Sequence, residues 1–274
     1  TGATGFIGQR TCKALVDAGH RVWALSQNGA DPAGHPGGLV EHSAHLLGDP
    51  LPEGLSDWGP ETVVHLAWSG IPDYGPASSL ANLQNQVAFF DQIAEIPTVR
   101  RLLVAGTCFE YGERVGVCRE DTVPAVTTYI GWAKQSLREY ALLVTADRPI
   151  EVSWFRIFYA YGQGQRSGGL LPSMLREAAQ GNRLTLRNPD AAKDFVYVDD
   201  VARAFQLAVE QANATGTFNI GSGRLTRLSE IQQCVLDLTS GSREKQKFGS
   251  PREGETNSSN GAYAAVERIS ECLG

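Results

Sequence analysis

Three glycines at three-residue spacing, Gly2, Gly5 and Gly8 within Thr1-Gly2-Ala3-Thr4-Gly5-Phe6-Ile7-Gly8, constrain this chain more than any other stretch. Glycine lets the backbone bend sharply and approach an anion closely, and the helix that follows, Gln9 to Gly19, offers unpaired N–H groups at its start. The stretch reads as a pyrophosphate-binding turn opening a helix. Such spacing also occurs without a ligand, so context decides. A strand-like run, Arg21 to Ser26, follows the helix at the distance of a βαβ unit. Neither an apolar strand nor an initiator Met precedes the turn, and we expect a few native residues ahead of Thr1.

The alternation continues. Gln27 to Gly38, rich in Gly and Pro, reads as a surface loop. Val40 to Pro50 reads as a short strand ending at Asp49, an aspartate that either accepts an adenine amine or closes a turn before Pro50. Thr62 to Trp68 suits a buried parallel strand, and a helix is predicted from Ser79 to Ala94 with Leu80, Leu83, Val87, Phe90 and Ile93 on one face. Arg101 to Thr107 is the next buried strand, ending in small residues and a hydroxyl where open α/β sheets place ligands. A helix over Tyr129 to Thr145 and a strand over Ile150 to Ile157 follow. The fold class is therefore α/β, a doubly wound parallel sheet.

Beyond Tyr161-Gly162 the rhythm changes. Leu170 to Gly181 is helical, Arg183 to Leu186 a short strand, and Ala192 to Val201 leads into a helix over Ala202 to Ala212. Thr217 to Gly221 and Ser229 to Leu238 add a strand and a helix. This half reads as a smaller mixed C-terminal lobe over the ligand-bearing edge. We expect a dinucleotide-type sheet domain over 1–162, with 195–221 returning to it, and a substrate lobe from 163–194 and 222–274.

Composition narrows the partners. The chain is 42% apolar and 20% charged, as expected of a globular protein. Its 24 basic and 30 acidic side chains give a net charge of −6 with no basic block, which argues against nucleic acid. The five cysteines (Cys12, Cys108, Cys118, Cys234, Cys272) are scattered without metal-ligand spacing, so no metal is expected and a reduced cytoplasmic setting fits. No signal-like leader is present and no apolar run approaches ~18 residues, so no membrane span is expected.

Taken together, several motifs are specific. They are the turn from Thr1 to Gly8, His65-Leu66-Ala67 at a strand end, Asn82 opening a helix, Thr107 four residues before Tyr111-Gly112, and Gly131-Trp132-Ala133-Lys134. Arg156 with Tyr161-Gly162, Asp194 to Val201, and Asn219-Ile220-Gly221 complete the set. The chain resembles the extended short-chain dehydrogenase/reductases, in the NAD-dependent epimerase/dehydratase group that modifies nucleotide sugars. The resemblance spans nearly the whole sequence and implies a Rossmann-type sheet. It also implies that Gly2, Thr4, Gly5, Phe6, Ile7, Gly8, Arg10, Ser26, Asp49, Leu66, Ala67, Trp68, Lys134 and Phe158 line an NAD or NADP site.

In that family a Ser or Thr orients the sugar, a Tyr moves the proton, and a Lys lowers the Tyr pKa while binding the cofactor ribose. A phenol near pKa 10 is a poor base at neutral pH, and an adjacent ammonium favours its phenolate. Thr107 matches the hydroxyl and Lys134 the lysine. The family spacing Tyr-x-x-x-Lys places Ile130 where the tyrosine belongs, with Tyr129 one residue upstream. Positions four apart on a helix differ by about 40° and face together, whereas five apart differ by about 140°. Tyr129 is therefore either a packing residue or reaches the site from an irregular helix start.

Other departures narrow the chemistry that the resemblance implies. Family dehydratases carry an Asp-Glu pair just after the Thr, but Cys108-Phe109 follow Thr107 here and Glu110 comes one place late, which disfavours water elimination. A ketoreductase or epimerase of a nucleoside-diphosphate sugar is the expected enzyme. Ile130 leaves a second reading open, a relative that holds the dinucleotide as a binding or regulatory module. Tyr159 replaces a frequent substrate-touching asparagine, and Lys193 a usual arginine. Arg252 either pairs with the nucleotide diphosphate or remains a solvated loop residue. Ser26-Gln27 end the second strand without the acid that binds a ribose 2′-hydroxyl, and Arg10 either holds a 2′-phosphate or is a surface residue, which leans toward NADP. A homodimer through the Ser79–Ala94 and Tyr129–Thr145 helices is expected, because Trp132, Leu137, Tyr140, Leu142 and Leu143 exceed one packed face.

Overall fold

In the computed structural model, which describes residues 1–29, 40–182, 185–212, 214–239 and 261–274, the glycine turn opens α1 (Phe6–Asp17). Strands β1 (Val22–Ser26) and β2 (Val40–Ala44) follow and pair in parallel. The short α2 (Leu55–Trp58) leads to β3 (Thr62–His65), then α3 (Pro76–Ala94) and β4 (Arg101–Thr107). A 3-10 turn (Cys108–Tyr111), β5 (Gly116–Cys118), α4 (Tyr129–Val144), β6 (Glu151–Ile157) and β7 (Tyr159–Tyr161) come next. The remaining elements are α5 (Leu170–Ala179), β8 (Ala192–Lys193), β9 (Phe195–Tyr197), α6 (Val198–Glu210), β10 (Gly216–Ile220), β11 (Thr226–Arg227), α7 (Leu228–Thr239), β12 (Ala262–Ala264) and α8 (Glu267–Leu273).

The central sheet runs β10-β6-β4-β3, all parallel. Its strands alternate faces, as the two-residue period requires. Leu102, Val104, Val152 and Trp154 pack with Phe89, Phe90 and Ile93 of α3 and Leu137 and Ala141 of α4. Leu103, Ala105, Phe155 and Ile157 pack on the other side with Val201, Phe205 and Ala208 of α6. Both faces are covered, so the strands read as continuous apolar runs. Residues 1–3 bridge β1 to β3: the Thr1 ammonium donates to Val64 O at 2.6 Å, Leu66 N to Thr1 O at 3.3 Å, and Ala3 N to Leu25 O at 3.2 Å. Beneath them lies a cavity of about 490 Å³ lined by Leu15, Val22, Ala24, Val63, Phe89 and Ile93 among others.

Several boundaries differ from the sequence reading. The second strand ends at Ala44, not Asp49, because the chain turns at Leu46, whose carbonyl accepts from the Asp49 N–H. Helix α3 begins at Pro76, where a ring with fixed φ and no N–H suits the first helical position. Asn82 therefore lies inside the helix. Its buried face also differs: Leu80 is 45% exposed, while Ser79, Asn82 and Gln86 are buried beside Phe89, Phe90 and Ile93. Helix α6 starts at Val198, four residues before the predicted Ala202. Of the predicted Arg183–Leu186 strand, residues 183–184 lie outside the described residues and 185–186 are not in a strand. Among the described residues no helix is long and apolar enough to cross a membrane.

Candidate active site

The glycine turn is built for close approach. Gly2 has φ +71°, and a Cβ there would lie 2.8 Å from Ala67 N; a Cβ on Gly8 would overlap the Gly2 carbonyl oxygen. Gly5 is the N-cap of α1, with no side chain capping the first N–H groups, so the amides of Phe6, Ile7 and Gly8 remain available to an anion. Thr4 contributes its carbonyl to Gln9 Nε2 at 2.9 Å, which secures the turn. Leu66 and Ala67 lie directly behind Gly2.

Lys134 is buried on α4, and its Nζ stands 4.7 Å from the centre of the Trp68 ring. Burial lowers its pKa from 10.5 to about 8, opposed by the charge of Glu110. The Trp68 Nε1 is buried without a partner among the described residues. An unpaired buried donor thus lies beside a desolvated ammonium, two polar groups that burial penalises. Thr107 ends β4 and caps the 3-10 turn: its Oγ1 accepts from Phe109 N at 3.3 Å. That leaves the Thr107 hydroxyl hydrogen to donate outward. Cys108 stands next to it, and burial pushes its thiol up to about 12, so it is neutral at physiological pH.

A family model described as the NAD dependent epimerase/dehydratase family matches residues 1–221. The chain belongs to that family. It is similar to dTDP-6-deoxy-L-talose 4-dehydrogenase (NAD(+)) of Aggregatibacter actinomycetemcomitans, 27% identical over 231 residues that cover 82% of this chain and 83% of the relative. It is also similar to GDP-6-deoxy-D-mannose reductase of Pseudomonas aeruginosa, 26% identical over 260 residues covering 87% and 78%. Among solved structures, MoeE5 in complex with UDP-glucuronic acid and NAD matches with a TM-score of 0.80 at 26% identity, covering 99% of this chain and 90% of that one. The family and the Rossmann-type fold read from the sequence are both borne out.

In this epimerase/dehydratase chain the position before Lys134 is decided by a regular helix start. Thr128 is an extended N-cap whose side chain accepts from Gly131 N at 3.2 Å. Ile130 is buried on the side of Lys134, while Tyr129 is 54% exposed. The irregular start that would turn Tyr129 inward is not observed.

Arg10 does not face the Ser26 end of β1. Its guanidinium donates to Gln163 Oε1 at 3.0 Å and lies 3.5 Å from Asp199. Ser26 is buried with its hydroxyl toward Asn28 Oδ1 at 3.3 Å, and Gln27 Nε2 reaches Ser69 Oγ at 3.3 Å. Asp49 is exposed in a turn, its carbonyl accepting from Gln92. Phe158 is buried between β6 and β7, its N–H donating to Ile220 O at 2.9 Å. Tyr159 packs against Phe109 and Phe195 with Lys193 Nζ 5.0 Å above its ring, and burial raises its pKa. Arg252 lies outside the described residues. Among the described residues no His, Cys, Asp and Glu cluster is placed to hold a metal ion.

Two buried carboxylates were not singled out for a role in the sequence. Asp194 accepts from Ser222 N at 2.6 Å, Gly223 N at 3.1 Å and Ala264 N at 2.9 Å, which joins the segment before β9 to the turn after β10 and to β12. Glu110 accepts from Thr107 N at 2.8 Å, Trp154 Nε1 at 3.0 Å and Arg156 Nε at 2.8 Å. Their sequence signal was position within a motif; apart from Thr107, their partners are distant in the chain.

Proposed function

We propose that this chain is an NAD(P)-dependent ketoreductase or epimerase acting at a ring carbon of a nucleoside-diphosphate sugar. One set of observations supports the reading: the uncapped glycine turn backs onto Ala67 just beyond β3, the buried Lys134 ammonium stands over Trp68 next in the chain, and Thr107 ends β4, all at carboxyl ends of parallel strands, where doubly wound sheets bind ligands. Two similar proteins are named for dTDP- and GDP-linked 6-deoxy sugars, and MoeE5 binds a UDP sugar acid and NAD, which supports the substrate class.

The residues present fit a dinucleotide. A Cβ at Gly2 or Gly8 would close the turn, and the free amides of α1 suit a pyrophosphate. When bound, the dinucleotide supplies hydride transfer to and from the sugar carbon. Lys134 holds a ribose hydroxyl through its ammonium, and Trp68 Nε1 offers a further donor on the same wall. Thr107 donates its hydroxyl hydrogen to the reacting sugar oxygen. With Ile130 in the phenol position, proton delivery falls to weaker donors, and turnover is slow. The described parts of 163–194 and 222–274 are assigned to the sugar-nucleotide side, with Tyr159 as a substrate contact; the role expected of Arg252 falls outside the described residues. The end of β1 has no acid to repel a 2′-phosphate, but Arg10 is engaged elsewhere, so both NAD and NADP are accepted.

The same reading makes the chain a homodimer through α3 and α4, where Leu80, Trp132 and Leu142 are exposed and Leu143 is 74% exposed. Incubating the protein with UDP-, dTDP- and GDP-linked sugars and 4-keto sugars, with each dinucleotide in turn, tests the proposal. Turnover of any of them is expected. Dinucleotide binding without turnover of any sugar would favour a binding or regulatory module instead.

A further inference from the structure

We propose that Glu110 is a positioning residue of this site, holding Thr107 and Lys134 in their working arrangement while touching neither sugar nor dinucleotide. The inference rests on reading that edge of the sheet as the reacting one. Glu110 sits in the 3-10 turn between Thr107 and the rest of the chain and is fully buried. Its carboxylate accepts the Thr107 N–H, so the residue bearing the hydroxyl and the carboxylate form one closed cap. Arg156 pairs with it at 2.8 Å and stands 4.5 Å over the Tyr111 ring, and Tyr111 Oη donates to Asn219 Oδ1 at 2.7 Å. The turn is thereby anchored to β6 and β10 as well as β4.

Close approach on both sides removes any slack. A Cβ on Gly106 would overlap Trp154 Nε1 and come 2.6 Å from Glu110 Oε1. A Cβ on Gly131 would lie 2.5 Å from Phe109 O, so the first turn of α4 rests directly on the 3-10 turn. A shift of Glu110 is therefore felt at Thr107 through the cap and at Lys134 through α4. Its negative charge also acts on Lys134.

The other charged and titratable groups around Lys134 are accounted for. His65 on β3 is held neutral by burial, and Arg156 on β6 is paired with Glu110. Arg138, on α4 itself, donates to Thr217 at 3.1 Å. On α3, Asp91 bonds Tyr140 and Glu95 pairs with Arg148 at the far end of the helix. Arg101, at the start of β4, donates to Val209 O at 3.1 Å. Among the described residues Glu110 is the carboxylate whose charge acts on Lys134.

The test compares Glu110→Gln, the charge-balanced double variant Glu110→Gln with Arg156→Met, and Glu110→Asp. Glu110→Gln alone leaves a buried unpaired guanidinium and is the variant most prone to unfold. In the double variant, thermal stability and dinucleotide binding are expected to survive. Lys134, followed by NMR on lysine-labelled protein and assigned with Lys134→Met, is expected to lose its proton at lower pH, and the alkaline limb of turnover to move with it by about tenfold in proton concentration. Glu110→Asp, which keeps the charge but withdraws the acceptor from Thr107, is expected to lower kcat by about tenfold or more with the Lys134 titration unmoved. A double variant with unshifted Lys134 titration, or an Asp variant with unchanged kcat, overturns the proposal. If the wild-type chain turns over no sugar nucleotide, the functional reading fails while the Lys134 titration still decides the role of Glu110.

Discussion

Ile130 stands one helical turn before Lys134 on α4, and both side chains are buried on the same side of that helix. A regular N-cap at Thr128 fixes this register and leaves Tyr129 exposed. The position facing the lysine therefore has no titratable proton. Ile130→Tyr should raise turnover by about 10- to 100-fold with little change in dinucleotide affinity, within the range a general acid contributes. Tyr129→Phe should leave turnover unchanged. Steady-state kinetics of both variants decide the matter, and loss of activity in Tyr129→Phe would return the acid role to Tyr129.

Gly8→Ala and Gly19→Ala form a matched pair. The first drives a methyl into the Gly2 carbonyl and should abolish dinucleotide binding in a fluorescence titration. The second has φ +86° but nothing within 4 Å of the added methyl, so it should cost only about 1 kcal/mol and leave binding intact. Equal affinity in the two variants would mean that the turn does not form the pyrophosphate site.

His65 predicts an acid limb in stability. Its ring is fully buried against Phe89 and Phe90, with Nε2 bonded to Gln86 Oε1 at 2.8 Å and Nδ1 to Thr1 Oγ1 at 2.9 Å. Burial, then the Lys134 charge, holds its pKa well below 6.5. The unfolded chain binds the extra proton first, so stability is full above 6.5 and falls as pH drops below that value. Thermal melts across that range should show the loss, and His65→Gln should flatten it.

Lys134 works in the opposite direction. Its folded pKa of about 8 lies below the unfolded 10.5, so the buried ammonium costs stability at neutral pH, and that cost disappears as pH rises from about 8 past 10.5. Lys134→Met should be more stable at neutral pH by up to on the order of 3 kcal/mol, with ribose anchoring lost. Denaturant unfolding of the pair measures it; a less stable Met variant would show that the Trp68 contact outweighs desolvation.

Local pattern was enough for the parts of this protein that depend on neighbours in sequence. The glycine spacing, the apolar run from Arg101 to Thr107 and the helix from Tyr129 were legible, because backbone freedom and side-chain period act over a few residues. What the sequence could not reveal is where polar groups find partners. Ser79, Asn82 and Gln86 displaced Leu80 from the buried face of α3, since Asn82 satisfies Ser69 and Gln86 satisfies His65. Arg10 was drawn to Gln163 and Asp199, more than 150 residues away in sequence. Glu110 read in the sequence only as an acid one place too late for a dehydratase pair, and its partners Arg156, Trp154 and Thr107 are visible only in the fold. A buried charge or amide must be paired wherever the fold brings a partner, and that choice exists only once the strands and helices are assembled.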